Sequence, residues 1–93
     1  MGTVTTRMWE ARLVPGRLEE GLAWVLADVV SSARACGADS VEVCASSGLD
    51  DPRIVVITRW SDTTNWTEPP APVQFVARFH AWPFEQVATY PQV

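Results

Sequence analysis

The chain opens with an alternation of apolar and polar side chains that predicts a β-strand. Over Thr5–Leu13, every second residue from Trp9 onward is apolar, whereas Glu10 and Arg12 fall between them. This period of two places the apolar residues on one face of a strand and the polar residues on the other. A Pro-Gly pair at residues 15–16 ends the pattern and predicts a turn.

Residues 17–36 repeat their apolar side chains at steps of three and four, which predicts one amphipathic helix. The repeating positions are Leu18, Leu22, Val25, Val29, Ala33 and Cys36. Acidic residues in the first turn and an arginine in the last suit the helix dipole. Gly37 follows at the position that a C-cap glycine prefers.

Trp24 falls on the side of this helix opposite the apolar stripe. A tryptophan centred on a polar face can be the anchor of a contact. We expect it to be covered either by another subunit or by the C-terminal tail with Phe84 and Tyr90, and we favour the tail.

Two more strands follow the helix. Ser40–Ser46 alternates as the first strand does, whereas Arg53–Trp60 contains four consecutive apolar residues at positions 54–57. Such a run is typical of a strand covered on both faces. Its β-branched content favours a strand over a helix.

The last third of the chain is less regular. Residues 61–72 contain three prolines, so no regular helix fits before Pro72. Residues 73–80 fit either a strand or two helical turns, and residues 81–89 look extended. Because Pro83 cannot donate to a ladder, it predicts an edge strand there.

This order of elements predicts one α+β domain over residues 1–93 with a ferredoxin-like βαββ(α)β antiparallel sheet. It has one long helix, and its second helix is degenerate. The first and third strands are central, and the last lies at an edge. One helix covers only one face of the sheet, yet the apolar run of Arg53–Trp60 predicts that both faces of this strand are covered. We therefore expect a homodimer packed sheet to sheet, the alternative being a monomer whose C-terminal segment covers the bare face.

Three parts of the chain carry a resemblance to a known superfamily. They are the strand that leads into Pro15-Gly16, the helix over residues 17–36, and the Asp51-Pro52-Arg53 loop before a strand that ends in Trp60-Ser61-Asp62. Over about residues 7–62 this pattern resembles the dimeric α+β-barrel superfamily, which includes antibiotic-biosynthesis-type and heme-degrading monooxygenases. The resemblance implies a dimeric barrel and a cofactor-independent oxygenase or a related cyclase of secondary metabolism.

Heme-degrading members of that superfamily carry a histidine after the strand-ending tryptophan and an asparagine on the first strand. Here residues 61–72 contain no histidine, and the only asparagine is Asn65. Trp60 is therefore the one catalytic-type position that carries over. These departures argue against heme degradation.

Composition and charge exclude several classes of protein. The 93 residues are 47% apolar and 19% charged, which excludes a disordered chain, and two cysteines are too few for a disulfide scaffold. The net charge is −4 and the seven arginines are scattered, so nucleic acid and anionic membranes are not expected partners. No apolar stretch could span a bilayer, and no signal peptide begins the chain, so we expect a cytoplasmic protein.

The candidate chemistry centres on His80, the only histidine and the only side chain that normally titrates near neutrality. It is the candidate base, although a histidine among aromatic residues is more often structural. Glu10 and Arg12 share one face of the first strand. They either orient a substrate or form ion pairs with neighbours such as Arg59 or Glu42.

The remaining candidates are aromatic. Trp60 and Trp82 are predicted walls of a ligand cavity, and Trp9 is a further candidate whose strand face also suits the core. The cysteines and His80 lack the spacing of a zinc site, so we expect no metal and no cofactor. No nucleotide-binding or hydrolase motif occurs.

The leading hypothesis is a dimeric α/β-barrel protein that binds an apolar or aromatic small molecule in each subunit. As an oxygenase or cyclase it would exclude water and orient an enolisable substrate, with His80 as base and Arg12 or Arg59 beside the enolate. The alternative is a non-catalytic binding or assembly module of the same fold. Convergence of Glu10, Arg12, Arg59 and His80 on one open cavity would favour the enzyme.

Overall fold

The computed structural model describes residues 4–46, 51–61, 66–88 and 90–91. The elements in chain order are β1 (Thr5–Leu13), α1 (Leu18–Trp24), a π-helical turn (Val25–Val29), α2 (Val30–Ala35), β2 (Ser40–Ser46), β3 (Arg53–Trp60) and β4 (Val76–Glu85). The two α segments and the π-helical turn form one continuous helix. The predicted α+β class is thus confirmed.

The four strands form one antiparallel sheet in the order β2-β3-β1-β4. This arrangement is compatible with a ferredoxin-like fold, and it places β1 and β3 in the centre and β4 at an edge, as the sequence predicts. The ambiguous residues 73–80 resolve into a turn at residues 73–75 and the start of β4. No helix in the described ranges is long and apolar enough to cross a membrane.

One face of the sheet, which we call the helix face, packs against the helix. Alternate residues of the two central strands are buried there: Trp9, Ala11 and Leu13 of β1, and Ile54, Val56, Thr58 and Trp60 of β3. Val25, Val29 and Ala33 bury the facing side of the helix, each with 0% exposure. Burial of this apolar surface is the main force that holds helix and sheet together.

The helix is not uniformly α-helical because its buried residues are spaced by four. Gly21, Val25, Val29 and Ala33 all face the sheet. In an α-helix each step of four residues overshoots a full turn by about 40°. A π-helical turn has more residues per turn, so its presence keeps Val25 and Val29 above the same strands.

Gly21 marks the closest approach of helix and sheet. A Cβ atom at this position would lie 2.6 Å from Leu13 Cδ1 and 3.3 Å from Ile54 Cδ1. Leu13 is itself buried and has little room to move. The absence of a side chain at Gly21 therefore allows the helix to rest directly on β1 and β3.

The segment at residues 66–75 packs on the helix face and takes the place of a second helix. Trp66 lies 5.4 Å from Trp60 between ring centroids and donates from Nε1 to Ser32 Oγ at 3.0 Å. Glu68 accepts hydrogen bonds from Arg7 Nε at 2.7 Å and Nη2 at 2.9 Å. This carboxylate raises the pKa of Arg7 through the hydrogen bond, against the opposing effect of burial.

Trp24 is covered by this same segment, so the predicted cover by the tail is wrong. Its ring lies 5.9 Å from Trp9 and 6.4 Å from Phe75 between centroids. Phe84 is half-exposed and Tyr90 is 80% exposed. Phe75, which lies just before β4, contacts Trp24 instead.

The opposite face of the sheet, which we call the open face, has no cover among the described residues. It carries Met8, Glu10 and Arg12 of β1, Arg53, Val55, Ile57 and Arg59 of β3, and Arg78, His80, Trp82 and Phe84 of β4. Val55 and Ile57 are only half-buried. The described part of the C-terminal tail does not reach them, since Val87 is 95% exposed.

The Arg7–Glu68 ion pair, which holds the 66–75 segment against the sheet, should stabilise the protein more than an ordinary surface ion pair does. We expect Glu68→Ala to lower the free energy of unfolding by about 1–3 kcal/mol, because Arg7 loses its partner in a partly buried place. Glu19→Ala, on the exposed side of α1, is the matched control and should change it by less than about 0.5 kcal/mol. Urea denaturation measures both variants, and equal losses would contradict this role.

Candidate functional site

The strand register arranges the charged groups of the open face in rows. Glu10 lies opposite His80 on one side and Val55 on the other. In the next row Arg12 lies between Arg53 of β3 and Arg78 of β4. We call Arg53, Arg12 and Arg78 the arginine row.

Asp51 neutralises part of the arginine row from the loop before β3. Its Oδ2 accepts hydrogen bonds from Arg53 Nε at 3.0 Å and Nη2 at 2.8 Å, and its Oδ1 lies 2.9 Å from Arg12 Nε. The hydrogen bond from Arg53, together with the positive charges of Arg12 and Arg53, holds the pKa of Asp51 below its ordinary value. Glu10 adds a longer contact of 3.4 Å to Arg53.

Arg78 is the arginine in this row that has no carboxylate partner within the described ranges. It is exposed, and its direct cross-strand neighbour is Arg12. Like charges that lie directly opposite in a sheet are destabilising. Asp51 partly offsets this repulsion through its ion pair with Arg12, whereas Arg78 has no such pair among the described residues.

His80 and Trp82 form a stacked aromatic pair next to the arginine row. Their rings stack with centroids 5.5 Å apart and an angle of 23° between the planes. Glu10 lies directly opposite His80 in the register of β1 and β4, and residues paired in this way have Cβ atoms about 4.5–5.5 Å apart.

Two concavities meet at β4. A polar one of about 160 Å³ is lined by Glu10, Arg12, Arg78 and His80. A mainly apolar groove of about 420 Å³ is lined by Ala71, Val73, Val76, Ala77 and Phe79, together with Arg78 and His80. Since Arg78 and His80 line both spaces, a molecule in the groove can extend a polar group into the polar concavity.

The structure brings Glu10, Arg12 and His80 together, but it keeps Arg59 apart. Arg59 forms an ion pair with Glu42 of β2, which lies at the opposite edge of the sheet from β4. The prediction that Glu10 and Arg12 pair with Arg59 or Glu42 is therefore wrong. Arg59 and Glu42 are neighbours across β2 and β3 and satisfy each other.

Glu10 and Arg12 instead take their partners from the start of β3. Glu10 contacts Arg53, and Arg12 contacts Asp51. The predicted ion-pair network and the predicted polar cavity thus involve the same side chains. Arg12 has one side toward Asp51 and the other toward Arg78 and the concavity.

The tryptophans divide between the two faces. Trp82 is 43% exposed on the open face, beside His80, where a ligand can contact it. Trp9 and Trp60 lie in the core with 1% and 3% exposure. The Trp60 Nε1 donates to Thr58 Oγ1 at 2.9 Å, and Trp66 covers the ring. Neither buried tryptophan lines the two concavities, which differs from their prediction as ligand-contacting walls.

Sequence reasoning missed two members of the site, Arg53 and Arg78. Arg78 stands two residues before His80, which places both on one face of a strand. That signal was ambiguous because residues 73–80 fit two helical turns as well. Arg53 stands at the start of a strand whose apolar run dominates its pattern.

Metal binding and similarity to known proteins add no further residues to the site. In the parts of the chain that the structure describes, no group of three or more His, Cys, Asp or Glu side chains could hold a metal ion. Cys36 and Cys44 are free and exposed. Comparisons of the chain with models of protein families, with curated proteins and with solved structures give no match.

The ion pairs of Asp51 should be visible in its titration. In Arg53→Gln we expect the pKa of Asp51 to rise toward the ordinary value of about 3.9, because the main hydrogen-bond donor is lost while Arg12 remains. NMR titration of the side-chain carboxyl measures it, and Arg34→Gln on α2 is the matched control.

The direction of the Asp51 pKa shift also determines how this residue affects stability as the pH changes. Because the folded-state pKa of Asp51 is the lower one, its contribution is present above the unfolded value and disappears as the pH falls through the folded value. Arg53→Gln should therefore lose less stability than the wild type in that acidic range. A pKa of Asp51 that is the same in both proteins would contradict these contacts.

Proposed function

We propose that the protein is a homodimer that binds an apolar or aromatic small molecule beside β4, with His80 at the reactive end of the site. The observation that carries this proposal is that His80 and Arg78 line both the apolar groove and the polar concavity. The groove of about 420 Å³ is of the size that small-molecule sites have, roughly 300–1,000 Å³. A few polar groups at one end of an apolar space are typical of such sites.

The dimer is supported by the apolar side chains of the open face. Val55 and Ile57 occupy its centre, and Trp82 and Phe84 are 43% and 49% exposed at its edge. A second copy packed sheet to sheet would bury these side chains with a self-complementary surface. The resemblance to dimeric α+β-barrel proteins implies the same arrangement.

Dimer formation would also change the chemistry of the polar concavity. In the single chain, His80 and Arg78 are exposed. A second sheet over this face would exclude water from them, and electrostatic interactions are stronger where water is excluded. The dimer is thus the state in which the site would orient and activate a ligand.

The alignment of Glu10 with His80 favours catalysis by proton abstraction over binding alone. In such a step the imidazole takes a proton from the carbon next to a carbonyl group, and the electron pair moves to the carbonyl oxygen. Glu10 lies opposite His80 in the strand register, and the arginines that line the polar concavity can stabilise the negative charge of the enolate oxygen. The resulting carbanion can react with oxygen or with a second carbonyl, as in a cofactor-independent oxygenase or a cyclase. A non-catalytic binding or assembly module is the alternative.

A simple enolisable ketone tests binding and catalysis together. We expect the protein to bind 2-tetralone and to accelerate exchange of its α-hydrogens for deuterium, followed by NMR. His80→Gln should slow this exchange by at least about 100-fold and Glu10→Gln by about 10-fold, while Glu19→Gln leaves it unchanged.

The possible results of this experiment separate the alternatives. Binding of 2-tetralone without accelerated exchange would leave the non-catalytic module and contradict the catalytic role of His80. Absence of binding, measured by shifts of the His80 and Trp82 ring resonances, would overturn the small-molecule site.

A further inference from the structure

We infer that the ligand is an apolar carboxylic acid and that Arg78, with Arg12, binds its carboxylate. This inference rests on the proposed function, since it names the chemical class of the molecule in the same groove. Two separate observations carry it: Arg78, at the β4 end of the arginine row, has no carboxylate partner among the described residues, and it also borders an apolar groove.

The first observation is a local excess of positive charge on an acidic protein. The chain has a net charge of −4, yet three of its seven arginines stand side by side in the arginine row. Asp51 pairs with Arg53 and with Arg12, and the carboxylate of Glu10 lies 3.4 Å from Arg53, so neither carboxylate is paired with Arg78. The positive charge in excess is therefore at the β4 end, on Arg78.

The pairing of Arg12 and Arg78 on adjacent strands indicates where an anion would bind. The two residues are direct cross-strand neighbours, which costs free energy in the empty protein. A carboxylate placed between them replaces one repulsion with two charge-assisted attractions. The planar guanidinium of arginine is suited to this because it can donate two parallel hydrogen bonds to a carboxylate.

The second observation gives the rest of the ligand. Arg78 also borders the groove whose other walls are Ala71, Val73, Val76, Ala77 and Phe79. Phe79 is half-exposed and Val73 is 82% exposed, so the groove offers apolar surface that water now covers. The polar concavity of about 160 Å³ leaves room for a small anionic group, and the larger groove suits an apolar body. An acid with one apolar end matches both spaces.

Two isosteric probes, 2-naphthoate and 2-naphthamide, test the charge preference by isothermal titration calorimetry at pH 7. The wild type should bind the acid at least about tenfold more tightly than the amide. Arg78→Gln should weaken binding of the acid about tenfold and leave the amide unchanged. Arg34→Gln on α2, which lies on the helix rather than on the sheet, is the matched control and should leave both affinities unchanged.

Each result supports or overturns a distinct statement. Equal affinities for acid and amide, or an acid preference that survives in Arg78→Gln, would overturn the inference and leave the small-molecule site standing. Binding of neither probe would overturn the site and the inference with it. Tighter binding of inorganic phosphate than of 2-naphthoate would overturn the assignment to a carboxylic acid.

Thermal unfolding without ligand is an independent measure of the same contact. Because Arg78→Gln removes a like-charged neighbour of Arg12, we expect its Tm to rise by about 1–4 °C. A residue kept for binding at a cost in stability behaves in this way. A fall in Tm would show that Arg78 supports the fold and would overturn its assignment as an anion receptor.

Discussion

A four-stranded sheet has two faces, and the described residues supply one helix to cover them. The helix and the 66–75 segment both pack on the helix face, where the Arg7–Glu68 ion pair and the Trp66 indole fasten the segment. The centre of the open face, at Val55 and Ile57, is only half-buried. The charged side chains of this face therefore pair with residues of neighbouring strands. The register of the strands determines which of them have an oppositely charged neighbour.

The strands could be predicted from the sequence because a pleated strand imposes a period of two on any half-buried segment. That period for β1 and β2, and a run of four apolar residues for β3, predicted the bounds that the structure shows. The π-helical turn and the cover of Trp24 could not be found in this way. The turn brings Val25 and Val29 against the sheet, and the cover of Trp24 includes Phe75, which lies far along the chain.

The site was predictable in part for the same reason. Alternation places Glu10 and Arg12 on one face, but it does not say which residue of the next strand lies beside each of them. That is why Arg59 was a candidate although it pairs with Glu42, and why Arg78 was missed although it stands opposite Arg12. Partners across a sheet follow from register, which a single sequence does not specify.

The central claim is that a second copy of this chain covers the open face. Sedimentation velocity at increasing protein concentration tests it most directly. We predict that the wild type sediments as a species of twice the mass of the 93-residue chain. We predict that Ile57→Arg sediments as a monomer. Leu26→Arg, at a residue 57% exposed on the helix, should leave it dimeric. A wild type that stays monomeric up to millimolar concentration, or dimers lost in Leu26→Arg and kept in Ile57→Arg, would contradict the claim.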